Sequence, residues 1–230
     1  MPLPAFQLLE KKFERQMRLF ELKKGALERK IETQIRRLEE KKGIRLDDEV
    51  RFIRSWLEKP LAIGAVTPSG KVLARTMARY VDPDTSGPVV ELGPGTGPVT
   101  EALVEEGIDP ARLILIEFNP TFCKLLRARY PTATVVQGDA YGLRHLLGGM
   151  LQRPAAAVVS GLPLVTKPVG TRLRLLREAL ELLRPGAPFI QFTYAVVSPI
   201  PKRLAGVRAE ASERIWKNMP PARVWVYRKG

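Results

Sequence analysis

The sequence predicts an α/β fold: an open, mostly parallel sheet that finishes in a hairpin. Three observations carry this. Five short apolar runs, at 89–92, 113–116, 134–136, 156–160 and 188–194, alternate with amphipathic segments at 98–106, 120–129, 141–147 and 171–183. Strands that are apolar along their whole length belong to a parallel sheet covered on both faces. The tail segments 207–216 and 223–228, joined through 218–221, read as two further strands. Finally, 45% of the 230 residues are hydrophobic, enough for a buried core and against wholesale disorder.

The elements follow in order. Residues 1–46 form a basic extension, with 12 Lys+Arg against 7 Asp+Glu in the first 42 positions. There Phe6, Phe13, Phe20 and Leu27 recur every seven residues, and Met17, Ile31 and Leu38 fall four places later in their heptads. This spacing predicts a long amphipathic helix with basic flanks. Three readings compete for it: lying in a bilayer interface, pairing with a second copy, or packing on the main domain. A second domain, 47–230, opens with a short helix at 47–58 that Pro60 ends. Thr67 or Ser69 is the expected cap of a helix at 71–80. The alternating strands and helices come next.

Composition excludes several functions. The single Cys123 forbids an internal disulfide, and the single His145 argues against His-rich metal sites and most triad chemistry, so no metal is expected. Cys123 reads as core, and His145 as a weak candidate base. No run reaches 18 apolar residues, so no membrane-spanning helix is expected. The first residues lack the basic-then-apolar order of a signal peptide, so the expected location is cytoplasmic. A net charge of +14 points to an anionic partner, nucleic acid or a membrane surface.

Chemistry in such sheets gathers at the carboxyl ends of the strands. The first strand runs into Glu91-Leu92-Gly93-Pro94-Gly95-Thr96-Gly97 and a helix opening at Pro98. Glycines at 93, 95 and 97 allow a sharp turn and a close ligand. Neither a dinucleotide third glycine nor a P-loop Lys-Ser/Thr pair is present. The second strand ends at Glu117, where a carboxylate suits a ribose diol. Gly138-Asp139-Ala140 follows the third strand, with an acid placed for an adenine amino group. Three acids at successive strand ends suit a cationic nucleoside.

These three stretches resemble motifs I, II and III of the class I S-adenosylmethionine-dependent methyltransferases. The resemblance implies a Rossmann-like, mostly parallel seven-stranded sheet with a reversing C-terminal hairpin, and S-adenosylmethionine as cofactor. Cofactor-binding residues are then expected at Ser69, Glu91, Gly93, Gly95, Gly97, Glu117, Phe118, Gly138, Asp139, Ala140, Ser160, Gly161 and Leu162. Glu91 and the glycine loop would face the methionine part, Glu117 the ribose and Asp139 the adenine.

The E-L-G-P-G-T-G form is shared with ribosomal RNA adenine dimethyltransferases, which carry Asn-Leu-Pro-Tyr/Phe after the fourth strand. Here Ser160-Gly161-Leu162-Pro163-Leu164 stands there, without the amide or the ring that hold a flipped adenine. That loop, with 52–60, 64–70 and 214–225, is similar instead to the soluble bacterial phospholipid N-methyltransferases. This second resemblance implies stepwise methylation of phosphatidylethanolamine towards phosphatidylcholine by a peripheral enzyme on the inner face of the cell membrane. The implied partners are that lipid, its partly methylated forms and an anionic membrane surface, with no nucleic acid. Phe6, Leu9, Phe13, Met17 and Phe20 would enter the membrane. Tyr194, then Tyr141, would face the reacting ammonium, and Lys202 and Arg203 the lipid phosphate. A monomer is expected, with self-association through the helix as the alternative. Two other readings stay open: an RNA adenine methyltransferase, and a membrane-binding scaffold with a vestigial fold.

Overall fold

A computed structural model describes residues 70–194, 198–201, 206–216 and 222–230. The chain divides into two units, Met1–Thr67 and Pro68–Gly230, and the second is the one described. The expected extension with its boundary at 46/47, the helix at 47–58, and Phe6, Leu9, Phe13, Met17 and Phe20 lie outside the described residues. So do Ser69, Lys202 and Arg203.

The elements are α1 (Lys71–Ala78), β1 (Val89–Leu92), α2 (Pro98–Glu105), β2 (Leu113–Glu117), α3 (Pro120–Arg129) and β3 (Thr134–Gln137). There follow α4 (Leu143–Leu147), β4 (Ala157–Ser160), α5 (Val169–Leu182), β5 (Phe189–Thr193), β6 (Val207–Ala211) and β7 (Arg223–Lys229). The seven strands lie in the order β3-β2-β1-β4-β5-β7-β6. All pairings are parallel except those of β7, which runs against both β5 and β6. This is the class I methyltransferase arrangement, an α/β sheet with a reversed penultimate position.

The reasons are local as well as global. β1, β2, β4 and β5 are buried from end to end, which is why their sequences carry no polar alternation. The two edge strands β3 and β6 are the exposed ones. Among the five α-helices described, α3 starts at a side-chain cap. Asn119 accepts from the Thr121 N–H at 2.8 Å, with Pro120 in the first turn of α3. Gly97, in the left-handed region, precedes Pro98 of α2.

Three boundaries differ from expectation. Gly70, not Thr67 or Ser69, occupies the cap position of α1, and no side chain caps it. Glycine is tolerated there, and its carbonyl still accepts from the Ala74 N–H at 3.0 Å. The helix expected at 141–147 begins as a 3-10 turn, Ala140–Gly142, which the Asp139 carboxylate holds by accepting from the Tyr141 N–H at 3.0 Å. The first tail strand stops at Ala211, because the Ser212 hydroxyl takes over the ladder. It accepts from the Val224 N–H at 3.0 Å and donates to the Glu213 carbonyl at 2.7 Å.

The strand order reverses between β1 and β4, the switch point where such sheets bind their ligands, in the crevice at the carboxyl ends of the strands. Among the described residues no helix is long and apolar enough to cross a membrane.

Candidate active site

Three loops meet at the crevice. The first, 93–97, leaves β1 with Gly93, Gly95 and Gly97 at φ of +67°, +59° and +84°. Side-chain-bearing residues adopt such angles only with strain, so these glycines set the shape of the turn. The loop is fastened from three sides. Its Gly93 N–H donates to the Ile116 carbonyl at 2.9 Å, and its Thr96 carbonyl accepts from Arg129 on α3 at 2.8 Å. The third fastening is Glu117, which accepts from the Gly95 N–H at 2.9 Å with one carboxylate oxygen and from the Asn119 N–H at 2.8 Å with the other.

Glu117 is therefore a brace as well as an acid at a strand end. It is buried, and burial raises its pKa against the opposing pull of its backbone partners. Each of its oxygens spends one lone pair on a backbone N–H and keeps another, which is what a ribose diol requires. The space over Gly95 is open, with no atom within 4 Å of where a Cβ would stand. Phe118, next in the chain, is 75% exposed and offers a ring face beside the cleft. Gly138 donates its N–H to the Glu117 carbonyl at 3.0 Å, so the exposed Asp139 lies one strand away. Ala140 is buried in the core beneath, leaving its backbone as the part able to face a ligand. These features fit an adenosine-bearing cofactor.

Glu91 behaves differently. It is 2% exposed and accepts from the Thr100 hydroxyl of α2 at 2.7 Å. Burial pushes its pKa up to about 8, with the nearby Glu117 adding to the rise. The structure thus brings Glu117 and Asp139 to neighbouring loops and withdraws Glu91 into the protein as an acid that holds its proton at neutral pH.

The loop after β4 closes the other side of the crevice. Ser160 is buried, and the Gly161 N–H donates to the Leu92 carbonyl at 2.8 Å. A Cβ on Gly161 would stand 2.7 Å from the Gly93 carbonyl oxygen, so the two loops touch backbone to backbone. Leu162 covers Gly93 from the same side. Leu164 is buried in the core.

Tyr141 lies half-buried past Asp139, its ring 4.9 Å from the Lys167 ammonium. Burial raises its hydroxyl pKa to about 12, and the Asp139 charge adds to this, so it stays protonated at neutral pH. Tyr194, half-buried just beyond β5, meets Phe192 edge to face at 5.4 Å. His145 is exposed on α4. Cys123 is fully buried and donates its thiol to the Glu117 carbonyl at 3.3 Å, a core role.

Sequence reasoning passed over Thr100, Arg129, Lys167 and Gln191. Only Gln191 left a signal, as an amide inside the apolar run Phe189–Thr193.

Comparison with known proteins agrees with this geometry. A methyltransferase domain family matches residues 89–186. The ornithine lipid N-methyltransferase of Singulisphaera acidiphila is 33% identical over 151 residues, covering 64% of this chain and 79% of that protein. A ribosomal RNA small subunit methyltransferase A of Synechococcus is 32% identical over 92 residues, 39% of this chain but 30% of that one. Among solved structures, the Bacillus cereus O-methyltransferase in complex with SAH superposes with a TM-score of 0.56 at 15% identity. That match covers 80% of this chain and 90% of that one, and it concerns the fold.

Proposed function

The chain belongs to the bacterial lipid N-methyltransferases of the class I fold, and from that premise we propose that it methylates phosphatidylethanolamine stepwise towards phosphatidylcholine at a membrane surface. S-adenosylmethionine is the methyl donor. When bound, it supplies a methyl on a positively charged sulfur, which an amine lone pair takes as the carbon–sulfur electron pair returns to sulfur. The residues proposed to hold it are the 93–97 loop, Glu117, Phe118 and the 138–140 turn, with 160–162 as the opposite wall.

The protein's task is then to orient, to exclude water and to release a proton. No covalent nucleophile is needed. Tyr141 and Tyr194 are proposed to face the ammonium that forms, since an aromatic ring attracts a cation. With its hydroxyl at about 12, Tyr141 serves through its ring and not as a base. Lys202 and Arg203 are proposed for the lipid phosphate.

The observation that carries the lipid amine over a flipped base is the loop after β4. Gly161 has no room for an amide side chain, and Leu164 is 1% exposed, so it offers no stacking platform. The same end of the sheet presents exposed Val165, Val169 and Trp216, with Arg214 stacked 5.5 Å over the Trp216 ring. Apolar and cationic groups mixed in this way suit the interface of an anionic membrane. The similarity to the ornithine lipid enzyme favours a second reading, in which the acceptor is the amine of an ornithine lipid.

The test offers labelled S-adenosylmethionine with anionic liposomes containing phosphatidylethanolamine, liposomes containing ornithine lipid, or unmodified ribosomal RNA. Methylated phosphatidylethanolamine is expected. Label in ornithine lipid alone replaces the acceptor, and label in RNA alone overturns the lipid reading. A chain lacking residues 1–46 is expected to lose most of its sedimentation with anionic liposomes while still binding the cofactor. Absence of cofactor binding in the whole chain would leave the scaffold reading.

A further inference from the structure

The tail hairpin sets two arginines against each other. Beyond the Ala211–Trp225 pair the ladder of β6 and β7 slips by one residue and closes again at a bridge between Ile215 and Ala222. There the Ile215 N–H donates to the Ala222 carbonyl at 2.8 Å. Arg214 and Arg223 flank this bridge and stand opposite one another across it. Like charges placed directly opposite repel. An acid between them would offset this, but Glu210 is taken by Arg228, and neither arginine has an ion pair among the described residues.

Both side chains are half-buried, each with its Nε sealed inside and unbonded, so the terminal amino groups are what each can offer to a ligand. Trp216 covers one face of Arg214, with the guanidinium carbon 5.5 Å from the ring centroid. Stacking of that kind leaves the N–H groups in the guanidinium plane able to donate. The pair also stands at the right end of the sheet. Arg223 is in register with Thr193, the last residue of β5, and Tyr194 follows. Neighbouring strands lie about 4.8 Å apart. An amine held at Tyr194 would therefore have the arginines about one strand further out, the order of reach of the two-carbon spacer between amine and phosphate.

We propose that Arg214 and Arg223 together bind the oxyanion of the acceptor headgroup, a lipid phosphodiester, and so fix where the amine enters the crevice. Two guanidinium groups sharing one phosphate make charge-assisted bonds in a defined geometry. The anion supplies the negative charge that no acid of the described hairpin brings between them. The proposal rests on the lipid-amine reading of the site.

The experiment presents phosphatidylethanolamine in neutral-detergent micelles, where surface charge plays no part, to wild type, Arg214→Gln and Arg223→Gln. The KM for lipid is expected to rise about 10- to 100-fold in each variant, the range of a lost hydrogen bond to a charged group. Cofactor affinity is expected to stay within about twofold. In thermal unfolding, inorganic phosphate is expected to stabilise wild type above chloride at equal ionic strength, and to leave the variants unmoved. Without phosphate the variants are expected to melt no lower than wild type, since one of two repelling charges is gone. An unchanged KM overturns the proposal, even where phosphate stabilises wild type, because the pair then takes free phosphate alone. A rise in KM matched by lost cofactor affinity or by a lower melting point also overturns it, since the arginines then support the fold. If Arg223→Gln does not fold, Arg214→Gln, outside the strands, decides. Wild type that methylates the lipid while neither variant moves KM defeats this proposal alone, whereas wild type that labels RNA alone defeats the lipid reading and the headgroup site with it. If only ornithine lipid is labelled, the KM comparison is run on that lipid, whose carboxylate takes the place of the phosphate.

Discussion

Replacing Glu117 by alanine is expected to weaken S-adenosylmethionine binding by about 10- to 100-fold, the range of one or two hydrogen bonds to a charged group. Two losses combine. The carboxylate that would receive the ribose hydroxyls disappears, and so does the brace that holds the Gly95 N–H at 2.9 Å and shapes the glycine loop. Glu117→Gln separates them. Its amide oxygen still accepts one of the two backbone N–H groups, so an intermediate loss is expected. Asp139→Ala, which removes an exposed acid and its single bond to the Tyr141 N–H, is expected to cost less. Titration calorimetry reads all three. Unchanged affinity in Glu117→Ala, with the fold intact by circular dichroism, would remove the cofactor assignment from this loop.

Glu91 predicts an equally large effect on stability. Its carboxyl ionises near 4.5 in an unfolded chain and near 8 when folded. Between those values the folded chain keeps a proton that the unfolded chain has lost. Stability therefore falls as pH rises through the window and levels off above about 8. At about 1.4 kcal/mol for each pH unit, the window is worth on the order of 5 kcal/mol. Glu91→Gln removes the titration and keeps an oxygen for the Thr100 hydroxyl. Its unfolding free energy is expected to decline much less than that of wild type from pH 5 to 8, keeping only the fall contributed by the buried Glu117, so the variant is the more stable protein at pH 8. Parallel profiles in denaturant titrations at pH 5, 6, 7 and 8 would show that Glu91 is not the titrating group.

The two predictions concern acids that look alike in the sequence, and they show where reading a sequence stops. Glu91 and Glu117 each stand at or near the end of an apolar strand. Strand alternation places Glu91 over α2, where Thr100 satisfies it and burial keeps its proton. Glu117 is the last residue of β2, and there the chain returns two backbone N–H groups to it. Nothing local distinguishes the two environments, because burial depends on which helix packs above each strand.

The sequence by itself determined the elements and their class. Unalternating apolar runs specify a covered parallel sheet, and prolines after capping residues specify where helices begin. Glycines at 93, 95 and 97 specify a turn that other residues would strain. These signals are local, carried by neighbours along the chain, and the structure reproduces them to within a few residues. Only the tertiary structure decided which side chains meet across strands. Gln191 reaches the Leu162 carbonyl because β4 and β5 pair in one register, with Ser160 beside Gln191. Gly161 must lack a side chain because the loop from β4 presses on the loop from β1. Such contacts join residues about 30 and 70 positions apart, and their geometry follows from strand order and register, which no local pattern encodes.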